Sequence, residues 1–251
     1  MSVETFPQAD GQMDHYETRC DLAAAFRWTA RLNMHEGIAN HFSAAVSDDG
    51  QQFLMNPFGV HWAIIKASDL LLCDALAAPE DHDPRCDATA IAIHGAIHRN
   101  SPRARCITHV HSKFATVLAS LDNPEIPPID QTTMRYYKRV AVDNGFDGMG
   151  LDDEAERIST QLGNGKVLLM GNHGVLTVGP SVAEAFDEMY YFERASETYV
   201  SALMTQQPLS IVGHDVAEKT AQQWEQYQHL NNQHLAAVRA VLDREEPDYR
   251  H

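Results

Sequence analysis

The chain has 251 residues, 44% hydrophobic and 22% charged, ordinary composition for a folded protein and enough to exclude a chain dominated by disorder. Nineteen lysines and arginines face 35 aspartates and glutamates; the net charge of −16 repels nucleic acid, and the densest basic run is only the three arginines between Arg99 and Arg105. No apolar run reaches the ~18–20 residues of a membrane span, and the four cysteines (Cys20, Cys73, Cys86 and Cys106) show no CxxC spacing and read as reduced thiols of a cytoplasmic protein.

Residues 1–14 are polar and acidic, with neither a basic start nor an apolar stretch, and read as a flexible tail. Residues 15–251 read as one domain. Leu22, Phe26, Thr29 and Leu32 recur at helical spacing over 15–35, and Gly37 offers the stop. Phe42, Ala44 and Val46 alternate, Asp48-Asp49-Gly50 turns the chain, and 52–55 returns as the second strand of a hairpin. Ser68-Asp69 leads into Leu70–Cys73, read as a buried strand, and 77–86 is loop. Asp87 caps a helix to about Arg99. A strand over 105–111 and a helix over 112–121 follow, while 130–150 fits neither pattern. A helix over 152–162 precedes the apolar strand 167–170, and a strand over 175–178 precedes a helix over 181–205. One last helix spans about 215–244 as a C-terminal extension. Hairpins and helical connections alternate without a repeat or linker, so the expectation is a mixed sheet in an αβα-layered domain, with the two C-terminal helices on one side.

Fourteen histidines make a metal site worth seeking. In Thr108-His109-Val110-His111-Ser112 the two imidazoles stand at i and i+2 of a strand, on one face, with Cα atoms about 6.6–6.8 Å apart. Cys106 and Val110 fall on the other face. In Gly171-Asn172-His173-Gly174 glycines at a strand end free the backbone to present His173. Three neutral imidazoles form an open, catalytic type of zinc site. His94 and His98 share a helix face. His94 is a candidate fourth ligand, a group that orients a ligand, or an acid/base group, or else a satisfied core histidine; His98 reads as core. Asn40, beside His41, can contact a substrate oxygen or serve a turn.

Further stretches join these: Glu36-Gly37-Ile38-Ala39-Asn40-His41-Phe42-Ser43, Asn56-Pro57-Phe58-Gly59 and Ile93-His94-Gly95-Ala96-Ile97-His98. Together, over about residues 18–205, the chain resembles the class II aldolase/adducin family. The resemblance implies a three-layer αβα fold with a mostly antiparallel sheet. It implies a divalent ion held by His109, His111 and His173, zinc first and Fe(II) or Mn(II) as alternatives, and a ring-shaped homotetramer with sites near subunit contacts. In the family's sugar-phosphate aldolases the ion stabilises enediolate charge and a glutamate moves the proton. Here that glutamate position is Ala90, the small hydroxyl residues before it are Ala88 and Thr89, and the threonine of the phosphate-binding Thr-Gly is Phe58, while Gly59 and Asn40 are kept. The metal site survives; the base and much of the phosphate pocket do not.

Three functions fit. One is a metal-dependent lyase acting on a small carbonyl compound, with His94 or a metal-bound water handling the proton and Asn40 and Gly59 contacting substrate. The second is an Fe(II)- or Mn(II)-dependent decarboxylase or oxygenase on the same residues. The third is a non-catalytic module like the adducin head, against which three retained ligand histidines and the absence of a basic tail both argue.

Overall fold

The computed structural model describes residues 13–146, 148, 154–227 and 229–251. Most of the expected tail, residues 1–12, therefore lies outside the described residues. The helices are α1 (Tyr16–Arg31), α2 (Ala88–Asn100), α3 (Lys113–Ala119), α4 (Gln131–Arg135), α5 (Glu154–Leu162), α6 (Val182–Met204), α7 (His214–Gln226) and α8 (His229–Glu245). The strands are β1 (His41–Ala45), β2 (Gln52–Met55), β3 (Leu71–Asp74), β4 (Cys106–Val110), β5 (Val140–Asp143), β6 (Val167–Met170) and β7 (Gly174–Gly179).

The strands form one sheet in the order β3-β2-β1-β4-β7-β6-β5. It is mixed: β5 and β6 run parallel, and the other neighbours pair antiparallel. Strand alternation sends Phe42, Cys106 and Val110 to one face, where α1, α6 and α8 supply Leu22, Phe26, Phe186, Phe192 and Leu242. It sends Ile107, Leu168 and Leu176 to the other, against Ile93 and Ile97 of α2 and Ile158 of α5. Helices thus cover both faces. Asp87 caps α2 as the sequence implies, its carboxylate accepting from the backbone N–H groups of Thr89 and Ala90.

Four expectations need correction or completion. Asn33, left-handed at φ 55°, follows the end of α1; Gly37 (φ 61°) instead turns the short Glu36–Ala39 bridge. The Leu70–Cys73 run is an edge strand, with Leu72 52% exposed. The unassigned 130–150 stretch holds α4 and β5. The single helix expected over 215–244 is two, because α7 and α8 dock on different partners: α7 lies on α4, where Trp224 Nε1 donates to the Gln131 carbonyl at 3.1 Å, and α8 lies on α1 and α6.

Candidate metal centre

His109 sits near the end of β4 and His111 just beyond it, on the α2 side of the sheet. His173 enters from the β6–β7 turn, which Asn172 rounds at φ 56°. Gly174 lets that turn close: a Cβ there would meet the Val110 carbonyl oxygen at 2.7 Å and the His111 ring at 2.8 Å. The three ring centroids lie 4.8–5.0 Å apart, and one ligand atom from each ring lies within 4.8 Å of the others.

The donor set fits a cation. His109 Nδ1 donates to the Val175 carbonyl at 3.1 Å, which leaves Nε2 with its lone pair. His111 Nδ1 contacts the Glu36 carboxylate, which orients its Nε2 in the same way. These two Nε2 atoms face each other at 3.1 Å, a lone-pair opposition that a shared cation relieves. His173 Nδ1 is buried without a hydrogen-bond partner among the described residues. Burial first, then the charge of neighbouring imidazoles, pulls His109 well below the usual histidine range and His173 down to about 4, so both are neutral and able to ligate.

Asn40 adopts φ 73° and is 7% exposed. Its Oδ1 accepts from the His111 backbone N–H at 3.2 Å, and its Nδ2 is buried and unpartnered among the described residues. Gly59 (φ 86°) lies in an exposed turn with open space around its Cα. Ala90 is fully buried beside Phe53, Met55 and Cys73, so no carboxylate enters at that position. Cys73 and Cys86 face each other with sulfurs 3.3 Å apart, and neither they nor Cys106 joins the imidazole group.

A row of side chains that sequence reasoning did not assemble runs beneath the centre. His41 is the register partner of His109 across β1 and β4, with ring centroids 5.0 Å apart. From it the row continues through His94, Ser43 and His98 to the Ala104 carbonyl. The carbonyl can only accept, so His98 Nδ1 donates at 2.6 Å. Ser43 Oγ then donates to His98 Nε2 at 2.7 Å and accepts from His94 Nδ1 at 2.5 Å. His94 Nε2 accepts from His41 Nδ1 at 2.8 Å. The tautomers follow from the network, with His41 Nε2 left carrying a lone pair. Burial drives His41 and His98 down to about 4 and His94 well below the usual histidine range, so all three are neutral. The hint in the sequence was His41 and Ser43 at i and i+2 of a hairpin strand, the same spacing as His109 and His111.

One mixed sheet sandwiched between helices defines an α/β protein, and among the described residues three imidazoles converge at a strand end in an arrangement that could hold a metal ion. Residues 20–200 match the Class II Aldolase and Adducin N-terminal domain. A protein of Caulobacter vibrioides provisionally named as an aldolase class 2 protein is 32% identical over 190 residues, 75% of this chain and 73% of its own length. Human beta-adducin is 29% identical over 191 residues, 74% of this chain but 26% of its own. Among solved structures, an aldolase II superfamily protein from Pseudomonas syringae superposes with a TM-score of 0.86 at 28% identity, covering 96% of this chain and 98% of that one. L-fuculose 1-phosphate aldolase from Glaciozyma antarctica superposes at 0.81 and 22% identity, covering 98% and 97%. The chain belongs to the class II aldolase and adducin family. No helix among the described residues is long and apolar enough to cross a membrane.

Proposed function

We propose that this chain is a metal-dependent carbon–carbon lyase for a small carbonyl compound, with one divalent ion, zinc first, on His109, His111 and His173. The observation that carries the reading is the opposition of the His109 and His111 lone pairs at 3.1 Å beside His173. A divalent ion bound there supplies Lewis acidity toward a carbonyl oxygen. The unpartnered Asn40 Nδ2 donates to a substrate oxygen and so orients it, and the Gly59 turn leaves room for the substrate's far end. His41 Nε2 accepts the proton; His94, behind it, takes up the His41 Nδ1 proton, so the charge spreads over two rings instead of one. In this reading His94 acts through His41, since His94 is fully buried.

Ala90 and Phe58 favour a non-phosphorylated substrate such as a small oxo- or hydroxy-acid. Ala90 also favours a second reading, Fe(II)- or Mn(II)-dependent decarboxylation or oxygen chemistry, because loss of the carboxylate base matters less where no α-proton is removed. A homotetramer with sites near subunit contacts, in the cytoplasm, completes the proposal.

Elemental analysis of anaerobically purified protein, coupled to an oxo-acid release assay on 4-hydroxy-2-oxo acids, tests it. The expected result is about one divalent ion per chain, as the single three-imidazole site requires, with turnover lost on chelation and restored on reloading. Iron or manganese with carbon dioxide release selects the second reading. A chain that holds no divalent ion and takes none up overturns both and leaves an adducin-like binding module.

A further inference from the structure

At the far end of β6 from His173 lies a cavity of about 440 Å³ that the reaction above does not use. It opens where β5 and β6 begin and α4, α7 and α8 meet, and that volume is in the ~300–1,000 Å³ range of small-molecule sites. Five cationic side chains line it: Arg103, Arg135, Lys138, Arg139 and Lys166. Glu188 and Glu225 line it too, and Asp187 and Glu218 pair with its arginines from behind, which leaves Arg103 and Lys138 as the cations outside those ion pairs.

The wall is built. Arg135 is 8% exposed, paired with Asp187 at 2.9 Å and Glu188 at 3.0 Å, its guanidinium 4.9 Å from the Tyr191 ring centroid and 5.3 Å from that of Trp224. Arg139 is held by Glu218 and Glu225, each at 2.7 Å. Lys166 Nζ lies 3.5 Å from Glu188. Arg103 and Lys138 are exposed and form no close ion pair among the described residues; the Glu184 carboxylate interacts with the charge of Arg103 from farther off.

A second, independent observation points inward. Asn231 of α8 is 4% exposed and lines the cavity, yet its Nδ2 has no hydrogen-bond partner among the described residues. A buried donor left unsatisfied has lost its water without gaining a partner, and a ligand oxygen that accepts from it removes that cost.

We propose that this cavity binds a small organic oxyanion carrying two or more negative charges, of the phosphate or polycarboxylate class. Arg103 and Lys138 contact its charged oxygens at the mouth, Arg135, Arg139 and Lys166, held in place by their carboxylate partners, offer the wall's remaining N–H donors, and Asn231 Nδ2 donates to one buried oxygen. The ligand joins α4, the starts of β5 and β6, and α8, so it stabilises the docking of the C-terminal helices on the sheet.

Isothermal titration and thermal melts of the full chain test this with 3-phosphoglycerate for the phosphate arm and tricarballylate for the polycarboxylate arm, each against sodium chloride of equal ionic strength. Saturable one-to-one binding of either probe is expected, with a midpoint that rises with probe concentration. Binding should weaken about tenfold or more in the surface double variant Arg103→Glu/Lys138→Glu and, separately, in Asn231→Leu, and persist in His111→Ala. Absence of saturable binding, binding undiminished in both cavity variants, or binding lost in His111→Ala alone overturns the assignment; the last outcome puts the anion at the histidines.

Discussion

Two groups of histidines share one face of the sheet and differ in what their nitrogens find there. In the row His41–His94–Ser43–His98 the nitrogens between His41 Nδ1 and the Ala104 carbonyl all have partners, and one consistent set of tautomers runs its length. In the trio His109, His111 and His173 only the outer nitrogens of two rings are anchored, and two ε nitrogens oppose each other. The difference separates imidazoles whose nitrogens, His41 Nε2 apart, are satisfied within the protein from imidazoles whose lone pairs are open to a ligand. Burial alone does not mark the centre, because His41, His94 and His98 are buried as His109 is, but only the trio leaves converging lone pairs without donors.

The largest expected effect breaks the trio. His111→Ala removes one of three protein donors. If zinc binding of about 10–16 kcal/mol is spread over four ligands, each is worth about 3–4 kcal/mol, so affinity falls roughly a hundredfold to a thousandfold. Metal titration against a competing chelator, with circular dichroism to confirm the fold, reads this out. His98→Gln, on the same face but in the row, should leave metal affinity unchanged. Equal losses in the two variants erase the distinction drawn above.

The next effect belongs to the row. His98 is fully buried, and burial lowers it from 6.5 to about 4. The unfolded chain therefore binds a proton near pH 6.5 that the folded chain refuses until about pH 4. Stability is full above the unfolded value, falls as pH drops through that window, and loses about 3 kcal/mol from this group by its lower end. His98→Gln keeps a donor for Ala104 and an acceptor for Ser43 without the titration. Urea unfolding at intervals from pH 7.5 to 4.5 should give the variant a flatter curve; parallel curves exclude a neutral buried His98 as a source of the acid sensitivity.

These two groups were unequally legible in the sequence. His109 and His111 read out because i and i+2 on a strand fix a shared face, and His173 because flanking glycines mark a turn; both signals are local. The row depends on the register that sets His41 opposite His109 and on the rotation of α2 that turns His94 and His98 toward Ser43, which no short window contains. The fold divides in the same way. The β1–β2 hairpin and capped α2 carry their own turn and cap residues. The break between α7 and α8 has no glycine or proline between Gln226 and His229, and comes from docking on two different partners. Strand β5, four residues beside basic Lys138 and Arg139, is defined mainly by its parallel pairing with β6.

The finest test lies between the two groups, at the residues that anchor the trio from outside. His109 is oriented by a buried carbonyl, whereas His111 is oriented by Glu36, a carboxylate 61% exposed. An anchor in solvent is screened, so Glu36→Gln should cost metal affinity near the low end of the ~10–100-fold range for outer-shell partners. Glutamine keeps an acceptor for His111 Nδ1 but not the charge, which makes the salt dependence informative. Raising sodium chloride should weaken metal binding in the unaltered chain more than in Glu36→Gln, because only the former has a charged anchor to screen. If both respond equally to salt and bind equally well, Glu36 contributes no charge to the centre, and the orientation of His111 must come from the Asn40 contact at its backbone N–H instead.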